Sequence, residues 1–172
     1  ENIKNILNKI EVYDMLNFVE SKAFYVLLGS NKLASQDKAK ILLTILDNPQ
    51  VKESFIIWTK RFSAFLESNI SEEDKKTIFI TLVELYSGKN LFYSSDVFRT
   101  FLNSNISTEF KKEILMLYIK NNTASLSAFW SQTILIELFL KSNFTNEDKF
   151  EIFSAFSKRD YFAASFLKEH CV

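Results

Sequence analysis

Phe65-Leu66-Glu67-Ser68-Asn69-Ile70-Ser71-Glu72-Glu73-Asp74-Lys75 joins an apolar pair to a Ser-Asn step, a single apolar residue and an acid-rich run closed by lysine. The phrase returns as Phe101-Leu102-Asn103-Ser104-Asn105-Ile106-Ser107 and as Phe139-Leu140-Lys141-Ser142-Asn143-Phe144-Thr145. A weaker copy, Leu27-Leu28-Gly29-Ser30-Asn31, is followed by Leu33 and Ala34-Ser35. Leu28, Leu66, Leu102 and Leu140 stand 38, 36 and 38 residues apart. A fixed period of this length marks stacked helical units, none of which can bury its apolar face alone.

Each Ser-Asn step reads as a turn, because both side chains bond nearby backbone. A helix start follows it. Ser71-Glu72-Glu73-Asp74, Ser107-Thr108-Glu109 and Thr145-Asn146-Glu147-Asp148 place a capping hydroxyl before acids that suit the positive end of a helix. Ser35-Gln36-Asp37 is the earlier version. Lys38, Lys75, Lys111 and Lys149 come about one turn on and are expected to pair with those carboxylates. The apolar pairs Ile41-Leu42, Ile78-Phe79, Ile114-Leu115 and Ile152-Phe153 then begin the buried stripe, their isoleucines 37, 36 and 38 apart.

This first, A helix ends at Asp47-Asn48-Pro49, at Ser87-Gly88-Lys89-Asn90, at Asn121-Asn122-Thr123 and at Ser157-Lys158-Arg159-Asp160. A second, B helix runs from there to the next Ser-Asn step. Its inner stripe is Phe24, Leu27 and Leu28, then Phe62, Phe65 and Leu66. Val97, Phe98, Phe101 and Leu102 follow, then Leu135, Ile136, Phe139 and Leu140.

The expected fold is therefore all-α: a right-handed α-α superhelix of four to five hairpins with a period of 36–38 residues. The 172 residues read as one helical-repeat domain with units at 1–34, 35–70, 71–106, 107–144 and 145–172. The first A helix is short, Ile3 to Ile10. The last helix, Tyr161 to Leu167, reads either as a compact cap or as a truncated B helix; truncation is the expectation, and with it a longer natural protein.

In its two-helix unit the chain resembles the HEAT-like and armadillo-like superhelices, by architecture and not by motif. That resemblance implies a stack of hairpins with a binding surface. The Trp/Gly/Tyr/Pro consensus of tetratricopeptide repeats and the Thr-Pro-Leu-His turn of ankyrin repeats are absent. Pumilio arrays share the period, but they are basic RNA readers.

Composition agrees with a helical stack. Two glycines and one proline are too few for a sheet with many tight turns. Basic and acidic residues balance at 21 each, which argues against nucleic acid as partner, since phosphate binding calls for a basic excess. No run approaches the ~20 apolar residues of a membrane span. Lysine outnumbers arginine 18 to 3, a bias of A+T-rich genomes that would suit a bacterial effector. The chain is expected in a cytoplasm, or in a host cytosol if secreted.

Catalytic sets are missing. His170 and Cys171 are the single histidine and cysteine, adjacent near the end of the sequence, where they make neither a nucleophile-base pair across a pocket nor a zinc site. Glu84 and Glu137 interrupt apolar helices and are expected on outward faces. No metal, cofactor or enzymatic activity is expected.

Aromatic and cationic residues of the B helices exceed what a two-layer core needs. Phe55-Ile56-Ile57-Trp58 is a consecutive run that cannot all face one side. Trp58, Lys60, Arg61, Tyr93, Arg99 and Trp130 are the expected contacts for a protein or peptide partner. The rival expectations are a nucleic-acid processor of the HEAT-like DNA glycosylase kind, using Asp96 near Arg99 and Trp130, or a structural arm of a larger effector.

Overall fold

A computed structural model describes residues 12–48, 51, 59–85, 91–92, 94–121 and 133–158. All regular structure among them is α-helical. The helices are α1 (Val12–Glu20), α2 (Lys22–Gly29), α3 (Ser35–Leu46), α4 (Thr59–Glu67), α5 (Glu72–Leu85), α6 (Ser95–Asn103), α7 (Thr108–Asn121), α8 (Thr133–Leu140) and α9 (Asn146–Ser157). The chain divides into two compact units, Glu1–Leu82 and Val83–Val172, the division falling inside α5. The expected first A helix, the Gly88 turn, the Tyr161–Leu167 helix and His170-Cys171 lie outside the described residues.

In the first unit α2 packs on α1 and on α4. Phe24, Leu28, Ile41, Leu42, Ile45, Phe62, Phe65, Leu66, Ile78 and Phe79 are buried there. The ring of Phe79 sits edge-on to Phe62 at 5.8 Å and tilted against Phe65 at 5.6 Å, so a B-helix pair closes over the next A helix.

In the second unit α8 packs on α6 and α9 packs on α7. Phe92 is the hub, with ring centroids 5.4 Å from Phe98, 5.0 Å from Phe101 and 5.2 Å from Tyr118. Phe139 meets Phe153 edge-on at 5.1 Å, at the positions that Phe65 and Phe79 occupy, there tilted, in the first unit.

The Ser-Asn steps are turns, as their composition predicts. The amides of Ser30, Ser68, Ser104 and Ser142 each bond the carbonyl three residues back, at Leu27, Phe65, Phe101 and Phe139. Three of the serine hydroxyls donate to that same carbonyl: Ser68 at 2.6 Å, Ser104 at 2.7 Å, and Ser142. One side chain thus satisfies a carbonyl that the end of the helix would leave open.

Helix starts also follow the sequence. The hydroxyls of Ser71, Ser107 and Thr145 accept from the amides of Asp74, Phe110 and Asp148 at 3.2, 3.3 and 3.1 Å. The first start is shifted by one residue: Ala34 is the N-cap of α3 and makes no side-chain cap. Ser35 lies inside the helix, and its hydroxyl reaches instead to the Asp74 carboxylate and the Ser71 amide, the latter at 2.8 Å.

Three expectations are corrected. The B helix of the first unit is broken at Ser21, whose hydroxyl donates to the Phe18 carbonyl and accepts from the Ala23 amide. Leu27 is only half-buried, and Leu140 is exposed while its three counterparts are buried. The amines of the recurring lysines donate to the end of the preceding helix, a role the pairing with first-turn acids did not anticipate, as described next.

Candidate interaction surface and the joints that support it

A lysine on the fourth helical position lies one turn in; beside two of these lysines, Asp74 and Asp148 accept from the cap hydroxyls of Ser71 and Thr145. From there the lysine's long apolar stem reaches back across the turn to the end of the preceding B helix. That end carries open carbonyls and the negative pole of the helix dipole. The amine of Lys75 donates to the Leu66 carbonyl at 2.7 Å and to Ser68 at 2.8 Å. Lys111 repeats this at 2.8 Å on Leu102 and 2.7 Å on Ser104. Lys38 donates to Leu28 at 2.8 Å and to the side chain of Asn69, a residue of the next Ser-Asn step. Lys149 donates to Leu140 at 2.8 Å.

Lys38, Lys75 and Lys111 are buried, whereas Lys149 is half-buried. Burial pushes the amines of Lys38 and Lys75 below the usual lysine range; for Lys75 the nearby Glu72 charge opposes that shift.

Successive joints are themselves tied together. Asn69 donates to the side chain of Asn31, one period earlier, at 2.8 Å. Lys112 reaches 36 residues forward to Asp148 at 2.7 Å and also binds Glu151 at 2.6 Å. Hydrogen bonding to Asp148 first, and to Glu151 second, raises the Lys112 pKa. The Asp148 carboxyl is held below its ordinary 3.8, chiefly by the Lys112 amine and then by the Thr145 hydroxyl.

The sign of the pH dependence follows. A carboxyl whose folded pKa is depressed stabilises above its unfolded pKa, and that contribution is lost as pH falls through the folded value. Acid unfolding of the chain is therefore expected to steepen below 3.8, and Asp148→Asn is expected to flatten that limb. Chemical denaturation at a series of acidic pH values reads this; an unchanged limb would remove Asp148 from the linkage.

Of the expected contact residues, Trp58, Tyr93 and Trp130 lie outside the described residues. Lys60 is exposed on α4. Arg61 is buried and its guanidinium stands 3.4 Å from the Glu20 carboxylate, so it ties α4 to the end of α1. Arg99 is half-exposed and lies 3.6 Å from Asp96 on its own helix, a pairing of small energetic weight. Glu84 and Glu137 are exposed, and Glu137 binds Lys141 at 3.2 Å one turn on.

The structure adds a concavity that the sequence reading did not place. Between the A helices α7 and α9 lies a cavity of about 480 Å³ lined by Glu113, Met116, Leu117, Ile119, Lys120 and Ala155. Its floor is apolar and adaptable, methionine included, with a carboxylate and an amine two turns apart on α7. Small Ala155 on α9 leaves the room. No sequence signal distinguishes this opening, because Met116 and Leu117 read simply as core of an A helix.

Among the described residues no group of three His, Cys, Asp or Glu side chains comes together to hold a metal ion. No described helix is long and apolar enough to cross a membrane. Compared with family models, curated proteins and solved structures, the chain matches none. The fold and the joints define an all-helical protein in which a lysine one turn into each of four helices bonds a carbonyl at the end of the preceding helix.

Proposed function

We propose that the chain is an α-solenoid module that binds a protein or peptide and performs no chemistry of its own. The observation that carries this reading is the recurrence of the lysine-to-carbonyl joint at Lys38, Lys75, Lys111 and Lys149. Recurring joints at a fixed period fix neighbouring helix pairs to one another, and a row of such pairs is a rigid support for an extended binding surface. Rigidity matters because a partner then bears less of the ordering cost of association. The stacking resembles HEAT-like and armadillo-like arrangements, and the superhelix belongs to the proposal.

Two faces are available to a partner. One is offered by the B helices, at Lys60 in the first unit and separately at Arg99 in the second; by sequence Trp58 goes with the former, and Tyr93 and Trp130 with the latter. The other is the α7–α9 opening with Met116 and Leu117.

Affinity capture with the whole chain as bait tests the proposal. The controls are a Trp58→Ala/Trp130→Ala double variant and Leu117→Glu, each checked for helicity by circular dichroism. A partner retained by the native chain and lost with one control supports the reading and names its face. Retention that neither control alters, or none above an unrelated helical bait, would contradict it.

A further inference from the structure

We propose that the α7–α9 face joins this chain to a second copy of itself about a two-fold axis, α7 of each copy lying antiparallel in the furrow of the other. The inference rests on the reading of that opening as an interaction surface and names its occupant.

On one side α7 buries Phe110, Ile114, Leu115 and Tyr118. Its other side carries Glu113, Met116, Leu117 and Lys120, spaced i, i+3, i+4 and i+7, which lines them up along one ridge. The charged ends of the ridge are exposed, and the two apolar residues between them are half-buried beside the opening. Small Ala155 of α9 bounds the opening on the far side. The two helices run in the same direction, since Lys112 meets Asp148 and Glu151 early in both and Ala155 lies across from Met116 and Leu117 further on. A ridge thus lies beside a furrow, the arrangement by which two helical surfaces interlock.

The order of charges on the ridge is its own complement. Glu113 stands three residues before Met116, and Lys120 three residues after Leu117. A two-fold axis between Met116 and Leu117 therefore sets Glu113 of each copy against Lys120 of the other, while the apolar side chains meet at the axis. An isologous contact requires this reciprocity, one residue against a second and the second against the first. The other wall repeats the polarity, with Glu151 toward the start of α9 and Lys158 as its C-cap, so an antiparallel helix meets opposite charge on both walls.

Corresponding ridges on the other A helices are built differently. Leu43-Thr44, Ile80-Thr81 and Ser154-Ala155 each put a hydroxyl at the centre, where α7 has two apolar residues. On α5 the ends are Thr77 and Glu84, which do not complement each other. A foreign partner makes no demand that one ridge carry opposite charges equally far from its middle, whereas a second copy does. Apolar burial supplies the attraction, and the charges set orientation and partner choice.

Sedimentation velocity of the full chain over a concentration series tests it, with Glu113→Lys and Lys120→Glu as variants, each checked for helicity by circular dichroism. The native chain is expected to exceed its monomer mass of 20.1 kDa as concentration rises and to level off as a dimer. Each variant alone is expected to associate at least about tenfold more weakly, because one substitution creates two like-charge contacts across the axis. An equimolar mixture of the two is expected to associate more tightly than either by itself, since residues 113 and 120 of unlike chains then pair opposite charges.

A native chain that stays monomeric throughout overturns the proposal, while leaving the opening to a foreign partner, which the capture experiment reads separately. Association that both charge reversals leave unchanged overturns it by placing the contact elsewhere. A mixture no tighter than its components overturns it as well, because the face then lacks two-fold reciprocity.

Discussion

Phe101→Ala is expected to cost about 3–5 kcal/mol of unfolding free energy, as truncation of a buried aromatic does. Phe101 is fully enclosed at the B-helix end, with the Phe92 ring 5.0 Å away. Its carbonyl is also the acceptor for both the amide and the hydroxyl of Ser104. Truncation opens a cavity beside Phe92, whose other neighbours, Phe98 and Tyr118, are set by helices that cannot collapse into the gap. For a domain whose total stability is about 5–15 kcal/mol, this is a large part of the whole. Leu102→Ala is expected to cost about 2–5 kcal/mol, and Leu140→Ala, at the same place but exposed, under about 1 kcal/mol. Urea denaturation measures all three. Equal effects at Leu102 and Leu140 would mean that the helix register is misplaced.

Lys111→Met is expected to cost about 1–3 kcal/mol, although it removes a buried charge. Burial of an ammonium is itself unfavourable, and replacing a buried charge by an apolar group is often neutral. Here two backbone carbonyls, of Leu102 and Ser104, depend on that amine. Leu102 lies in the last turn of α6 and Ser104 is its C-cap, where no intrahelical donor remains. Methionine fills the same channel with a flexible apolar chain, so cavity formation contributes little and the stranded carbonyls dominate. The helix dipole adds to the loss, since a cation at a C-terminus is favourable.

Much of the helical pattern was legible because its signals are local. Ser71 and Thr145 cap as hydroxyl N-caps do, the Ser-Asn steps turn, and Ile78-Phe79 and Ile152-Phe153 are buried where the periodicity puts them. Ala34 took the cap position from Ser35 because the latter's hydroxyl found Asp74 and Ser71, one period away in sequence.

The role of the lysines was not legible by the ordinary rule that a charge faces solvent. A signal was present all the same. Lysine holds its place at residues 38, 75, 111 and 149 while the next residue changes from Ala39 to Lys76, Lys112 and Phe150. A long cation kept in step with the core positions, beside a neighbour free to vary, is a structural residue. Leu140 misled for the opposite reason: its type matches its buried counterparts, and exposure depends on what lies against it. The α7–α9 opening depends on the small size of Ala155 opposite Met116 and Leu117, a relation between two helices that no single stretch of sequence encodes.

The comparison to make is between Lys111→Met and Lys149→Met in parallel urea melts, because only the first lysine is fully enclosed by its joint. Lys111→Met should lose about 1–3 kcal/mol and Lys149→Met less than about half of that, since water can reach the Leu140 carbonyl in its place. Two equal losses near zero would show that these amines behave as surface lysines and that the recurring phrase does not build a recurring joint.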